Sequence, residues 1–183
     1  MASPIYLDNQ ATTRCDPRVL ERMLPYFSEH YGNAASKTHG FGWMAEAAVD
    51  LAREQVAASL GALTSELFFC SGATEANNLA LRGAAEAYAG RGKHIIISAT
   101  EHASVLDCAG EMGKRGWDIT IVPVGADGRV QVADVVAALR ETTTVVSVML
   151  VNNETGVISN VAALAKAARE RSPDIIFHCD AVQ

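Results

Sequence analysis

The sequence predicts an α/β protein with a mainly parallel sheet covered by helices on both faces. Three observations carry that prediction. Short apolar runs alternate with longer amphipathic stretches along most of the chain, in the order strand, turn, helix. The runs are apolar almost without interruption, as in Ile95-Ile96-Ile97 and Val145-Val146. A strand with one wet face would alternate, whereas a strand covered on both sides reads this way. The turns between elements are polar or carry glycine.

Asp16 is placed to cap a first helix with Pro17 at its first position, and Val19, Leu20, Met23 and Leu24 then share one face. A second helix, 40–60, carries Phe41, Met44, Ala48 and Leu51 at helical spacing and stops before Gly61, where a left-handed cap fits. Five strands are expected at 67–70, 94–98, 119–124, 145–151 and 175–179, with helices at 74–89, 103–115, 132–140 and 161–171 between them. The last strand runs into Asp180-Ala181-Val182-Gln183 without a covering helix after it, so the domain is expected to be incomplete.

Composition narrows the function classes. A chain of 183 residues, 49% hydrophobic and 20% charged, with a mean hydropathy of +0.11, reads as an ordinary soluble globular protein. The net charge of −6 argues against nucleic acid or an anionic membrane as a partner. No apolar run approaches the roughly 18 residues of a membrane helix. The first residues, Met1-Ala2-Ser3-Pro4-Ile5-Tyr6, lack the basic and apolar regions of an export signal, and a cytoplasmic location is expected. Four cysteines form no CxxC pair and no Cys/His pair at zinc-ligand spacing; His178 and Cys179 are neighbours on a strand and point to opposite faces. Structural thiols and no metal are expected.

In open α/β sheets, ligands bind beyond the carboxyl ends of the strands. Four of the five expected strand ends carry groups that bind or react: Ser71-Gly72-Ala73-Thr74, Thr100-Glu101-His102, Asn152-Asn153-Glu154 and Asp180-Ala181-Val182-Gln183. The fifth, Gly125-Ala126-Asp127-Gly128, reads as a plain turn. The first joins a strand to a helix, so its amides and the Ser71 and Thr74 hydroxyls sit where a helix dipole favours phosphate. Equally, Thr74 could do no more than cap that helix. His102 could face a ligand flat-on, move a proton, or be a hydrogen-bonded structural group. A carboxylate at Asp180, closing an apolar strand, is costly unless a protonated heterocyclic nitrogen, an arginine or strong donors meet it. Phosphate cradle, flat ring and carboxylate together describe a site for a phosphorylated, nitrogen-containing aromatic cofactor.

Six ordered motifs resemble one family. Tyr6-Leu7-Asp8-Asn9-Gln10-Ala11-Thr12-Thr13, Gly32-Asn33-Ala34-Ala35-Ser36 with His39, Ser71-Gly72-Ala73-Thr74-Glu75, Thr100-Glu101-His102, Val151-Asn152-Asn153-Glu154-Thr155-Gly156 and His178-Cys179-Asp180-Ala181-Val182-Gln183 closely resemble the pyridoxal-phosphate-dependent cysteine desulfurases of the class V aminotransferase group. The resemblance implies the large domain of the aminotransferase type I fold, with residues 1–15 as an N-terminal arm and 16–183 as the first part of that domain. It implies pyridoxal 5'-phosphate as cofactor. Ala73 and Thr74 would hold its phosphate, His102 would stack on the ring and handle the proton, Asp180 would pair with the ring nitrogen, and Gln183 would bond the phenolic oxygen. Asn153 would lie near that oxygen and the substrate carboxylate, and Asn33 and His39 near the mouth of the site.

The implied reaction takes sulfur from L-cysteine, leaving L-alanine and an enzyme persulfide that passes sulfur to an iron–sulfur scaffold or a tRNA-thiolation protein. The implied assembly is a homodimer when full length. The family's cofactor-bonding lysine, persulfide cysteine and substrate-binding arginine fall beyond Gln183, so this chain by itself is expected to be inactive. Ala34 replaces a proline common in the family after Asn33. A selenocysteine lyase, another class V enzyme, or a non-catalytic partner domain of a full-length desulfurase would carry the same motifs.

Overall fold

The computed structural model describes residues 4–183. The chain divides after Phe69 into two compact units. The first holds α1 (Pro17–Met23), α2 (Pro25–Ser28), α3 (Gly40–Leu60) and a 3-10 turn at Thr64–Glu66. Asp16 caps α1 as expected, its Oδ1 accepting the Arg18 amide at 2.8 Å. Pro25, which has no N–H to donate, separates α1 from α2. The bounds of α3 match the expected helix. His39 caps its start through Nδ1, and Gly61 ends it at φ 65°, with the Ala62 amide reaching back to the Ala57 carbonyl at 2.9 Å.

One expectation for this unit is corrected. Residues 67–70 form no strand. The backbone at Leu67 is extended, but its carbonyl accepts the Arg53 guanidinium at 2.6 Å, and Arg53 also lies 4.8 Å from the centre of the Phe69 ring. A side chain of α3 takes the place of a neighbouring strand. The apolar faces of the two helices, Val19, Leu20, Met23 and Leu24 on one side and Phe41, Met44 and Leu51 on the other, are exposed.

The second unit holds α4 (Ala73–Ala87), β1 (His94–Ser98), α5 (Ala103–Lys114), β2 (Asp118–Val122), α6 (Val132–Ala138), β3 (Thr143–Ser147), α7 (Val161–Arg171) and β4 (Ile176–His178). The four strands, one fewer than expected, are all parallel, in the order β2-β1-β3-β4. Successive side chains of a strand point to opposite faces, and the core divides accordingly. Ile95, Ile97 and Val145 pack with Leu81 and Ala85 of α4 and Val105, Cys108, Ala109 and Met112 of α5. Ile96 and Val146 pack on the other face with Val135 of α6 and Leu164 and Ala168 of α7. Burial of each of these isoleucines contributes about 1.5–3 kcal/mol.

Strands β2 and β3 end earlier than expected because the chain folds back. Val124 bridges Val130 and Val151 bridges Ile158, both antiparallel. The connections leave β1 toward β2 on one side and return to β3 on the other, so the topological switch point lies between β1 and β3. That is where such sheets open a crevice. No helix among the described residues is long and apolar enough to cross a membrane.

Candidate cofactor site

Asp180 lies two residues past β4 and is only 7% exposed. Its Oδ2 accepts the Asn77 side-chain amide at 2.8 Å, and its Oδ1 accepts the Val182 amide at 3.1 Å. Its backbone carbonyl accepts the Leu150 amide at 2.9 Å, extending the β3–β4 pairing outward. The ion pairs among the described residues do not include it. Of the partners a buried carboxylate here could take, the described residues supply neutral donors and no arginine.

His102 follows the exit of β1 and caps α5. Its Nδ1 accepts the Ser104 amide at 3.1 Å and lies 2.9 Å from Ser104 Oγ. Ser104 Oγ lies in turn 2.9 Å from the same Asn77 nitrogen that serves Asp180. The carboxylate and the imidazole expected at opposite parts of a cofactor ring are thus joined through two side chains.

The start of α4 departs from expectation in two ways. Its cap is Gly72, with no side-chain cap bond, so Thr74 lies within the first turn and is not the cap. The Ser71 hydroxyl and amide both donate to Glu75 Oε2 at 2.6 Å. That hydroxyl is engaged within the loop, and its bond holds the Glu75 carboxyl below the usual carboxylate range. Ala73 and Thr74 precede Asn77 by one helical turn, which puts them on the same side of α4.

Beyond β3, Asn153 Nδ2 donates to Glu154 Oε1 at 3.1 Å. Its neighbour Asn152 holds the loop: Nδ2 donates to the Thr100 carbonyl at 3.0 Å, and Oδ1 accepts the Glu154 and Thr155 amides at 3.1 and 2.8 Å. Gln183 is exposed. Asn33 and His39 belong to the first unit and serve local structure there, Asn33 Oδ1 accepting the Ala35 amide at 2.9 Å and His39 capping α3.

Sequence reading singled out neither Asn77 nor Ser104, nor Glu101 as a buried acid. The signal was present in the periodicity. Asn77 lies four and eight residues before the buried Leu81 and Ala85, and Ser104 stands in the same relation to Cys108 and Met112. Glu101 is 5% exposed. Its Oε1 accepts the Met149 amide at 2.7 Å, and its Oε2 lies 3.5 Å from Ser147 Oγ, which is 2.9 Å from His178 Nδ1. Burial pushes the Glu101 carboxyl up to about 7, with Asp180 adding to the rise and the Met149 amide opposing it. Burial lowers the affinity of His178 for a proton. Burial pushes the thiols of Cys108 and Cys179 up, away from the reactive thiolate. Among the described residues no cluster of His, Cys, Asp and Glu is arranged to hold a metal.

The family model described as aminotransferase class-V matches residues 5–183. The chain belongs to the aminotransferase class-V family. This class-V chain is 52% identical over 183 residues to the cysteine desulfurase IscS of Anaeromyxobacter sp. (strain K), covering 100% of this chain and 45% of the relative. Among solved structures it matches a NifS-like protein with a TM-score of 0.94 at 39% identity, covering 98% of this chain and 49% of that one. It matches SspA in complex with cysteine with a TM-score of 0.89 at 36% identity, covering 97% and 50%. The class-V chain therefore spans about half the length of the relatives it matches.

Proposed function

We propose that this chain supplies much of the cofactor cradle of a cysteine desulfurase that uses pyridoxal 5'-phosphate to take sulfur from L-cysteine, leaving L-alanine. The observation that carries the reading is Asp180: a buried carboxylate at a strand mouth, held by two neutral donors and in no ion pair among the described residues. A protonated ring nitrogen is the partner such a group lacks. The high identity to relatives named cysteine desulfurase IscS supports the choice of reaction.

In this reading Asp180 keeps the ring nitrogen protonated, and the uncapped first turn of α4, with Ala73 and Thr74, holds the phosphate. His102, its Nδ1 committed to Ser104, would hold the ring face. Gln183 and Asn153 would bond the phenolic oxygen, and Asn153 would also meet the substrate. When bound, the cofactor supplies an electron sink for chemistry at an amino acid's α-carbon. The domain boundaries expected from the motifs, an arm of residues 1–15 and a cofactor domain from 16 onward, belong to this reading. So do a homodimer, a cytoplasmic location, and an acceptor that is an iron–sulfur scaffold or a tRNA-thiolation protein.

Titration with pyridoxine 5'-phosphate tests the reading, because this analogue lacks the aldehyde and cannot bond a surface lysine. The chain should bind it, and Asp180→Asn should weaken binding by about tenfold or more, the worth of one charge-assisted hydrogen bond. Equal affinity of the two chains would overturn the assignment.

A further inference from the structure

Asn77 and Ser104 join two groups of the proposed site that no cofactor is needed to connect. An ionised carboxylate can only accept hydrogen bonds, so the Asn77 atom 2.8 Å from Asp180 Oδ2 is the amide nitrogen, as the structure has it. That NH2 group has a second hydrogen, and Ser104 Oγ lies 2.9 Å from the same nitrogen. Ser104 Oγ therefore accepts from Asn77, which leaves its own hydrogen for His102 Nδ1 at 2.9 Å. The Ser104 backbone amide donates to the same Nδ1 at 3.1 Å. A ring nitrogen that receives a backbone N–H carries no proton itself, so the neutral imidazole has its hydrogen on Nε2.

We propose that Asn77 and Ser104 are positioning residues forming one directed hydrogen-bond chain, Asp180 to Asn77 to Ser104 to His102, which holds His102 as the Nε2–H tautomer. Asn77 and Ser104 are themselves buried, at 5% and 7% exposure, so water competes little for these bonds. The consequence for the site is directional. Neutral His102 carries its donor at Nε2, and it can gain a proton only at Nδ1, which breaks the bond from the Ser104 amide and reverses the one with the Ser104 hydroxyl. The orientation of that donor is set from Asp180, the group expected to face the ring nitrogen. This role of the chain in catalysis rests on the cofactor reading, whereas the chain of bonds and the tautomer do not.

The test reads the tautomer without cofactor. In the whole chain labelled with 15N-histidine, long-range 1H–15N spectra at pH 8 lie above the ordinary imidazole range, and the His102 signals are assigned by their loss in His102→Gln. Nδ1 should be unprotonated and Nε2 protonated, one tautomer exceeding the other by about tenfold, as two hydrogen bonds to one nitrogen would enforce. Ser104→Ala keeps the backbone donor and removes the hydroxyl; it should reduce that excess several-fold, and Ser104→Thr should restore it. Asn77→Ala should also reduce it, although Asn77 does not touch His102, because the Ser104 hydroxyl is then free to turn and accept instead. A mixed or Nδ1–H tautomer in the unaltered chain overturns the proposal. A tautomer that responds to Ser104→Ala but not to Asn77→Ala overturns the link to Asp180. Pyridoxine 5'-phosphate added to the same samples separates the two ideas: a chain with the expected tautomer that does not bind it refutes the cofactor reading and leaves the hydrogen-bond chain standing.

Discussion

The Met149 amide donates to Glu101 Oε1 at 2.7 Å and anchors a carboxyl group that is 5% exposed between the exits of β1 and β3. One backbone donor does not offset the loss of water around a charge, and the carboxyl is pushed up to about 7 from its ordinary value of 4.5.

A pH dependence follows from that shift. Between pH 4.5 and 7 the unfolded chain has released the Glu101 proton while the folded chain keeps it, so this group's contribution to stability falls as pH rises, by about 3 kcal/mol in all. His178 and His94 act in the opposite sense. Burial lowers both below 6.5 in the folded state, so their contribution is present above 6.5 and is lost as pH falls. Glu101→Gln removes the first effect and leaves the second. In urea unfolding, the variant's stability minus that of the unaltered chain should grow by about 3 kcal/mol from pH 4.5 to 7.5. A difference that stays flat would mean that Glu101 ionises in the fold as it does in the open chain.

Asn152 ties the loop after β3 to the Thr100 carbonyl and to two amides of its own turn. Asn152→Ala leaves these groups without their side-chain partner, at a cost of about 1–3 kcal/mol. Hydrogen exchange at the Thr155 amide should accelerate while the amides of β1 keep their protection, since the damage is local.

Gly92 enters β1 with the Thr142 backbone directly against it, so a Cβ would meet the Thr142 carbonyl, whose oxygen also accepts the His94 amide. Gly92→Ala should destabilise by about 1–3 kcal/mol, because backbone on both sides must shift. Gly110, in α5, has open space where a Cβ would stand, and Gly110→Ala should stabilise by about 0.5–1 kcal/mol. Thermal unfolding of the two variants should move in opposite directions.

Leu164 is fully buried in the layer between the sheet and α6 and α7, whereas Leu51 on α3 is 55% exposed. Leu164→Ala should cost about 2–5 kcal/mol. Leu51→Ala should stay within about 0.5 kcal/mol, and a large loss there would mean that the α3 face is covered in solution.

The elements most legible in the sequence are those whose ends carry their own chemistry. The start of α1 is marked by Asp16 with Pro17 after it, and the end of α3 by Gly61. Strand β1 is apolar through its centre, and its bounds match expectation. Residues 67–70 were not legible, because an apolar run of strand length is satisfied equally by a sheet neighbour or by the Arg53 guanidinium, and only packing chooses. Within the candidate site, Asp180 was legible as an acid closing an apolar run. Its partner Asn77 was not, for it lies 103 residues away in the chain.

The sequence by itself determined the alternation of helices and strands and the bounds of α3 and β1, since these depend on periodicity, caps and turns that act over a few residues. Tertiary structure alone decided who meets whom. It placed Asn77 between Asp180 and Ser104 and buried Glu101 beside Met149. The physical reason is that a buried polar group must take its partner from whatever the packed elements bring near. Helical period names the face on which such a group lies and is silent about the residue across from it.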